Sequence, residues 1–201
     1  LIVGGSLGAR SVNNAVLKNL KNIAESGVKI IWQTGAFYFE QIQNELKDLP
    51  MFRGFMGFTG FTEGWALYAE RLAAELGFQK DPYDNIGRLQ AELFRAVRLV
   101  VDTGIHHKKW SREQAIQYMS DTTGMADSDV ESEIERYIVW PGQALSYKVG
   151  MIKFLELRQK AMDQLGDKYN HKDFHTRVLE NGALPLIMLE QQVDAYIKEK
   201  S

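Results

Sequence analysis

Apolar positions change their period once along this chain, just after Trp32. Leu1 to Val3 is a short apolar run that meets Gly4-Gly5-Ser6-Leu7-Gly8. Ala15, Val16, Leu20 and Ile23 then recur at helical spacing until Gly27. Val28 to Trp32 is again apolar, β-branched and of strand length. This order predicts strand, glycine loop, helix and a second strand parallel to the first, a βαβ segment over residues 1–40. Two parallel strands and one helix leave edges open. Such a segment needs cover from the rest of the chain, or a second copy paired on its edge as a homo-oligomer.

Beyond Trp32 the pattern is helical throughout. Ala36 to Leu46 is a first amphipathic stretch, and Thr62 is placed to cap a helix reaching Leu76, with Trp65, Tyr68, Leu72 and Leu76 on one side and Gly77 at its end. Ile86 to Ile105 carries Leu89, Leu93, Val97 and Val100 as its expected buried stripe. Ser111 and Gln114 have capping-box spacing for a helix to Met119, and Ser128 or Asp129 is the expected cap of a helix to Val139. Pro141-Gly142 breaks the pattern. Leu145, Val149, Ile152, Leu155 and Met162 mark a helix that Gly166 closes; Phe174 to Leu179 is short. Pro185 suits the first turn of a last helix through Leu189, Val193 and Ile197. The expected fold is mainly α: a helical bundle over residues 41–201, preceded by a βαβ unit with a two-stranded parallel sheet, the join falling at residues 33–43. Its core should include Trp65, Tyr68, Leu93, Val97, Ile152, Leu155, Leu189 and Val193.

Composition narrows the function classes. A chain of 201 residues, 45% hydrophobic and 25% charged, is an ordinary soluble globular protein. Its net charge of -2 and interspersed Lys and Arg favour neither nucleic acid nor an anionic membrane. The absence of cysteine excludes disulfides, thiolate zinc sites and a cysteine nucleophile, but leaves the compartment open between periplasm and cytoplasm. Every apolar run falls short of the roughly 20 residues that span a bilayer. The missing initiator Met is consistent with a start that has been trimmed.

Four groups of residues carry candidate chemistry. The glycine loop puts free backbone N–H groups at a helix start, which suits a phosphate or diphosphate, although a tight strand-to-helix turn explains the same glycines equally well. Glu63 and Glu70 are seven apart and share a helix face, as a ligand and its supporting carboxylate would, or simply as two exposed acids. Asp102 and His106 are four apart, so the carboxylate is positioned to orient the imidazole; a histidine stabilised by the helix dipole is the commoner arrangement. His107, Lys108 and Lys109 read as a solvated basic end, and His171 and His175 as surface or capping residues.

Longer motifs add two resemblances. Leu1-Ile-Val-Gly-Gly-Ser-Leu-Gly-Ala-Arg-Ser-Val-Asn13, with Ile31-Trp-Gln-Thr-Gly35, resembles the start of the C-terminal domain of the MurG family of N-acetylglucosaminyltransferases. That resemblance implies Gly5, Ser6, Leu7 and Gly8 as contacts to the diphosphate of a nucleotide sugar. Phe61-Thr-Glu-Gly-Trp-Ala-Leu-Tyr-Ala-Glu70, Val101-Asp-Thr-Gly-Ile-His-His-Lys-Lys-Trp-Ser-Arg-Glu-Gln114 and Trp140-Pro-Gly-Gln-Ala-Leu-Ser-Tyr-Lys148 resemble the bacterial domain-of-unknown-function 885 family. The second resemblance covers residues 41–200 and implies a helical zinc-dependent peptidase acting on a peptide substrate. It implies Glu63 as a zinc ligand, Glu70 as its support, and His106 with Tyr137 or Tyr147 as groups that bind substrate or stabilise an oxyanion.

Such a site also needs an HExxH helix, two histidines one turn apart with a glutamate between them. All four histidines follow Glu63, and the stretch where the motif belongs reads Trp32-Gln-Thr-Gly-Ala-Phe-Tyr-Phe-Glu40. The expectation is therefore a metallopeptidase-like fragment that retains no catalytic zinc and is inactive as it stands. The alternatives are a nucleotide-sugar or phosphate binder acting through the glycine loop, and a recombined or engineered structural fusion without activity.

Overall fold

The computed structural model describes residues 57–201 and, as backbone, the strands β1 (Ile2–Val3) and β2 (Trp32–Gln33). The two strands pair in parallel, Ile2 opposite Trp32 and Val3 opposite Gln33. The glycine loop, the helix expected between the strands and the helix expected over Ala36 to Leu46 lie outside the described residues. The chain separates into two compact units, residues 1–57 with 170–183, and residues 58–169 with 184–201.

The described residues are mainly helical. In the larger unit the order is α1 (Thr59–Glu75), α2 (Pro82–His106), α3 (Arg112–Thr123), α4 (Asp127–Val139), a 3₁₀ turn (Gln143–Leu145) and α5 (Ser146–Leu165). The smaller unit contributes α6 (His171–Leu179), and α7 (Leu186–Lys200) returns to the larger one.

Several helix ends follow from sequence chemistry. Asp81 caps α2 by accepting the Tyr83 N–H at 2.9 Å, with Pro82 in the first turn. Ser111 and Gln114 form the expected reciprocal capping box at 3.2 and 2.9 Å, and α3 runs on past Met119 to Thr123. Other ends differ from expectation. Helix α1 starts at Thr59, so Thr62 sits in its first turn and donates its hydroxyl back to the Phe58 and Thr59 carbonyls. Packing of Phe61 on Phe154 starts the helix a turn early. Neither Ser128 nor Asp129 caps α4. The helix begins at Asp127 without a side-chain cap, and Asp127 and Asp129 in its first turn meet the positive end of the dipole instead. Pro185 stands one residue before α7.

Helices α1 and α5 cross with their backbones in contact. A Cβ on Gly64 would lie 2.4 Å from the Gly150 backbone, and one on Gly150 would lie 1.9 Å from the Gly60 carbonyl oxygen. Around this crossing Phe61, Trp65 and Tyr68 pack on Phe154 with ring centroids 5.2, 5.5 and 5.8 Å apart. Arg158 closes the far end with a two-pronged contact to Glu75 at 2.8 and 3.1 Å. Leu189, Val193, Tyr196 and Ile197 form the buried face of α7. A second core joins α2, α3 and α4 through Val97, Val101, Met119, Val130, Ile134 and Tyr137.

The expected core is present in Trp65, Tyr68, Val97, Leu189 and Val193. Leu93 and Ile152 are instead exposed, at 42% and 39%, and Leu155 is half-buried. On α5 the buried face is Gly150, Met151, Phe154, Leu157 and Ala161, one position round from the expected Val149 and Ile152. The close α1 crossing selects the face with the smallest residue rather than the one with the largest aliphatic ones. On α2, Leu89 and Val100 are exposed as well, because the buried stripe is Val97, Arg98, Val101 and Asp102.

Two glycines on this scaffold should respond in opposite directions. Gly150→Ala forces a methyl into the α1 backbone and should destabilise by about 3 kcal/mol or more. Gly87, on α2, has nothing within 4 Å of a built Cβ, so Gly87→Ala should stabilise by about 0.5–1 kcal/mol through helix propensity. Urea denaturation of both variants checks the pair; a neutral Gly150→Ala would mean that the helices do not touch at that point.

Candidate functional site

The charged residues buried on α2 organise the candidate site. Arg98 and Asp102 are 6% and 2% exposed, one turn apart among Val97 and Val101. Both reach the turn after α4. Asp102 accepts the Gly142 N–H on its two oxygens at 3.0 and 3.2 Å, and Arg98 donates to the Gln143 side-chain oxygen at 2.9 Å. Gly142 has φ 82°, a conformation that glycine takes without strain. The Arg98 guanidinium also lies over the rings of Tyr147, Tyr137 and Phe94, at 4.6, 5.2 and 5.5 Å from their centroids.

His106 lies one turn beyond Asp102 but does not meet it. Its Nε2 is 2.9 Å from the Tyr137 carbonyl oxygen, a contact that requires Nε2–H as donor and leaves Nδ1 as the second ring nitrogen. The sequence suggested that Asp102 orients His106; in the fold the carboxylate is committed to Gly142 and the imidazole to the α4 main chain. The Tyr137 hydroxyl donates to Glu133 at 2.5 Å. Burial first, and then the Glu133 carboxylate, push the Tyr137 pKa well above the ordinary tyrosine range, so this phenol stays protonated. Tyr137 and Tyr147 are thus gathered around one arginine that the sequence motifs did not point to, and His106 joins them through the Tyr137 carbonyl. An arginine inside an apolar stripe, one turn before an equally misplaced aspartate, was the available signal.

Glu63 and Glu70 lie apart from this cluster in the sequence, on α1. Glu63 is half-buried next to the Gly64 crossing, Glu70 is exposed, and neither carries an ion pair among the described residues. Gly5, Ser6, Leu7 and Gly8 lie outside the described residues. His171 and His175 belong to α6, where Asn170 rather than a histidine provides the cap by accepting from Lys172 and Asp173.

A zinc ion does not fit these residues. Among the described residues no group of three His, Asp or Glu side chains lies close enough to hold a metal. All four histidines of the chain fall within that region, and Nε2 of His106 is engaged by a carbonyl. Glu63 therefore lacks the two imidazoles that a gluzincin-type site requires.

Residues 36–193 match the family model described as bacterial protein of unknown function (DUF885), and residues 1–68 match the glycosyltransferase family 28 C-terminal domain. A crystal structure of a provisionally assigned lipoprotein from Colwellia psychrerythraea is 56% identical, with a TM-score of 0.73 over 77% of this chain and 26% of that one. A second such protein, of unknown function, from Shewanella oneidensis shares the fold at 23% identity, with a TM-score of 0.68 over 93% of this chain and 34% of that one. At the other end, the UDP-N-acetylglucosamine–N-acetylmuramyl-(pentapeptide) pyrophosphoryl-undecaprenol N-acetylglucosamine transferase of Phocaeicola vulgatus is 48% identical over 54 residues. That match takes in 25% of this chain and 14% of the transferase. The chain therefore spans about a quarter of the first solved relative and a seventh of the curated transferase.

The site is tied to α5 by Lys148, the neighbour of Tyr147, which donates to Glu92 on α2 at 2.6 Å; Arg88 binds the same carboxylate at 3.1 Å. Burial raises the Glu92 pKa, but Lys148 and Arg88 outweigh it and the net shift is downward. A carboxyl lowered in the fold contributes stability above its unfolded pKa of about 4.3 and loses it as pH falls through the folded value. Glu92→Gln should therefore reduce stability near pH 7 and flatten its fall below about pH 4.3. Thermal melts across that range check this; parallel curves for the two proteins would exclude Glu92 from the acid response.

Proposed function

The chain belongs to the bacterial family of unknown function DUF885, and on that premise we propose that it is the peptide-facing side of a zinc-metallopeptidase-like hydrolase, without turnover of its own. The observation that carries this reading is the buried Arg98, which gathers Tyr137, Tyr147 and the Gly142–Gln143 turn around one guanidinium. In a hydrolase of this kind such a wall holds the substrate backbone and offers donors to a developing oxyanion. His106 and Tyr147 are the groups with polar atoms left to do so, through Nδ1 and the phenol. Tyr137, committed to Glu133, acts by positioning. The metal-bearing wall is what the chain lacks, so Glu63 and Glu70 remain as half of a site. The lipoprotein description of the two solved relatives extends the proposal to a place in the bacterial envelope.

Metal analysis is the direct test. Purified protein should carry well under one zinc per chain, and Glu63→Ala should not change that content. Stoichiometric zinc that disappears in Glu63→Ala would overturn the reading, and peptide hydrolysis at a rate sensitive to His106→Ala would overturn the claim of inactivity.

A second reading attaches to the other end. The identity to N-acetylglucosamine transferases favours a nucleotide-sugar or phosphate contact at Gly5, Ser6, Leu7 and Gly8. Glycosyl transfer itself needs donor and acceptor held together, and the match covers only a seventh of the transferase. UDP titrated against labelled protein should shift the amides of Gly5 to Ala9 at millimolar concentration. Unmoved amides would leave the segment a turn and no more.

A further inference from the structure

Arg95 is the neighbour of this cluster that nothing above employs. Its Nε–H is buried without an acceptor, and its guanidinium makes no ion pair; it rests over the rings of Phe94 and Tyr147 at 5.0 and 5.5 Å. Arg98, 4.6 Å from the centroid of the same Tyr147 ring, also leaves its Nε–H unpartnered. The acids on the packed elements are engaged elsewhere. Glu92 is held by Lys148 and Arg88, Asp102 by the Gly142 N–H, and Glu133 by the Tyr137 hydroxyl. Two guanidiniums on one aromatic ring, with no carboxylate in ion-pair reach of either, make a local positive charge that burial penalises until an anion meets it.

A groove gives that anion access. It has a volume of about 260 Å³, and Arg95 is the charged residue in its lining. Gly87, Ala91 and Arg95 succeed one another every turn of α2 and form its floor, with Phe94 and Met125 as apolar walls. A built Cβ on Gly87 meets nothing within 4 Å, so the floor stays open at the end away from Arg95. One end is therefore cationic, and the remainder is mostly small and apolar, with the polar Gln90 and Thr123 among its lining.

We propose that this groove binds a small organic carboxylate, with its two oxygens on the guanidinium of Arg95 and its apolar tail lying along Ala91 and Gly87. The planar guanidinium edge matches a carboxylate two bonds at a time, and the volume suits a group of single-residue size. The inference stands on this geometry and does not require the peptidase reading. A peptide end and a short fatty acid share the chemistry.

Arginine-labelled full chain, titrated with N-acetyl-leucine, hexanoate and N-acetyl-leucine amide while the Arg95 Nε–Hε resonance is followed, tests it. Either acid should move that resonance saturably in the millimolar range, and the amide should not. Tighter binding of N-acetyl-leucine identifies a peptide end, and tighter binding of hexanoate a fatty acid. Arg95→Lys should weaken binding about tenfold or more, read from the remaining arginine resonances. Gly87→Leu should fill the groove and abolish binding with the helical circular dichroism unchanged. The proposal fails if neither acid binds at tens of millimolar, if the amide binds equally well, or if Gly87→Leu leaves affinity intact.

Discussion

The contact of two helix backbones at Gly60, Gly64 and Gly150 governs the larger unit. No side chain separates α1 from α5 there, so the axes are held at a distance that only glycine permits. The aromatic rings on either side must then fill the spaces that this distance defines, which is why Phe61, Trp65 and Tyr68 all converge on Phe154. The same crossing fixes the start of α5, and with it Tyr147 and Lys148, the residues that look toward α2. A methyl group at the crossing would thus be felt at a tyrosine ring one turn away on the same helix.

Against that frame, α2 buries charge where a bundle helix ordinarily buries leucine. An unsatisfied Asp102 or Arg98 would cost several kcal/mol, and each is answered by a consecutive residue of one turn, Gly142 by its N–H and Gln143 by its amide oxygen. The turn is therefore pinned from below by two side chains of opposite sign, at a point where α4 has already ended and α5 has not begun. Polar residues so placed specify position more than they add stability. They hold Tyr137 and Tyr147 against one guanidinium, which a purely apolar contact would leave free to slide.

How much of this was legible in the sequence depended on whether the signal was local. Capping chemistry was readable at Ser111 and Gln114, and so was the break at Gly142, because both act within a few residues. The helices themselves followed from periodicity, and so did the buried face of α7; on α1 Trp65 and Tyr68 are buried as expected, but Leu76 is exposed. The faces of α2 and α5 did not follow. Hydropathy sends Leu93 and Ile152 inward and Arg98 outward, and it has no term for a partner helix that approaches through glycine or for a charge answered forty residues later. The candidate site was half legible for the same reason. His106, Tyr137 and Tyr147 stood in readable motifs, whereas the arginine that gathers the two tyrosines was visible only once α4 and α5 were in place.

The arrangement also explains how such a wall can persist without a metal. In many small metal sites the ion is the cross-link, and the ligands scatter when it is removed. Here the groups that would face substrate are held by α2, through Asp102 and Arg98, and by the Tyr137 carbonyl on His106. None of these bonds passes through Glu63 or through a metal-binding helix. Folding of this cluster therefore rests on side-chain and main-chain contacts within the larger unit alone. What remains is an aromatic cluster preorganised around the buried Arg98, with the Arg95 guanidinium over the same Tyr147 ring.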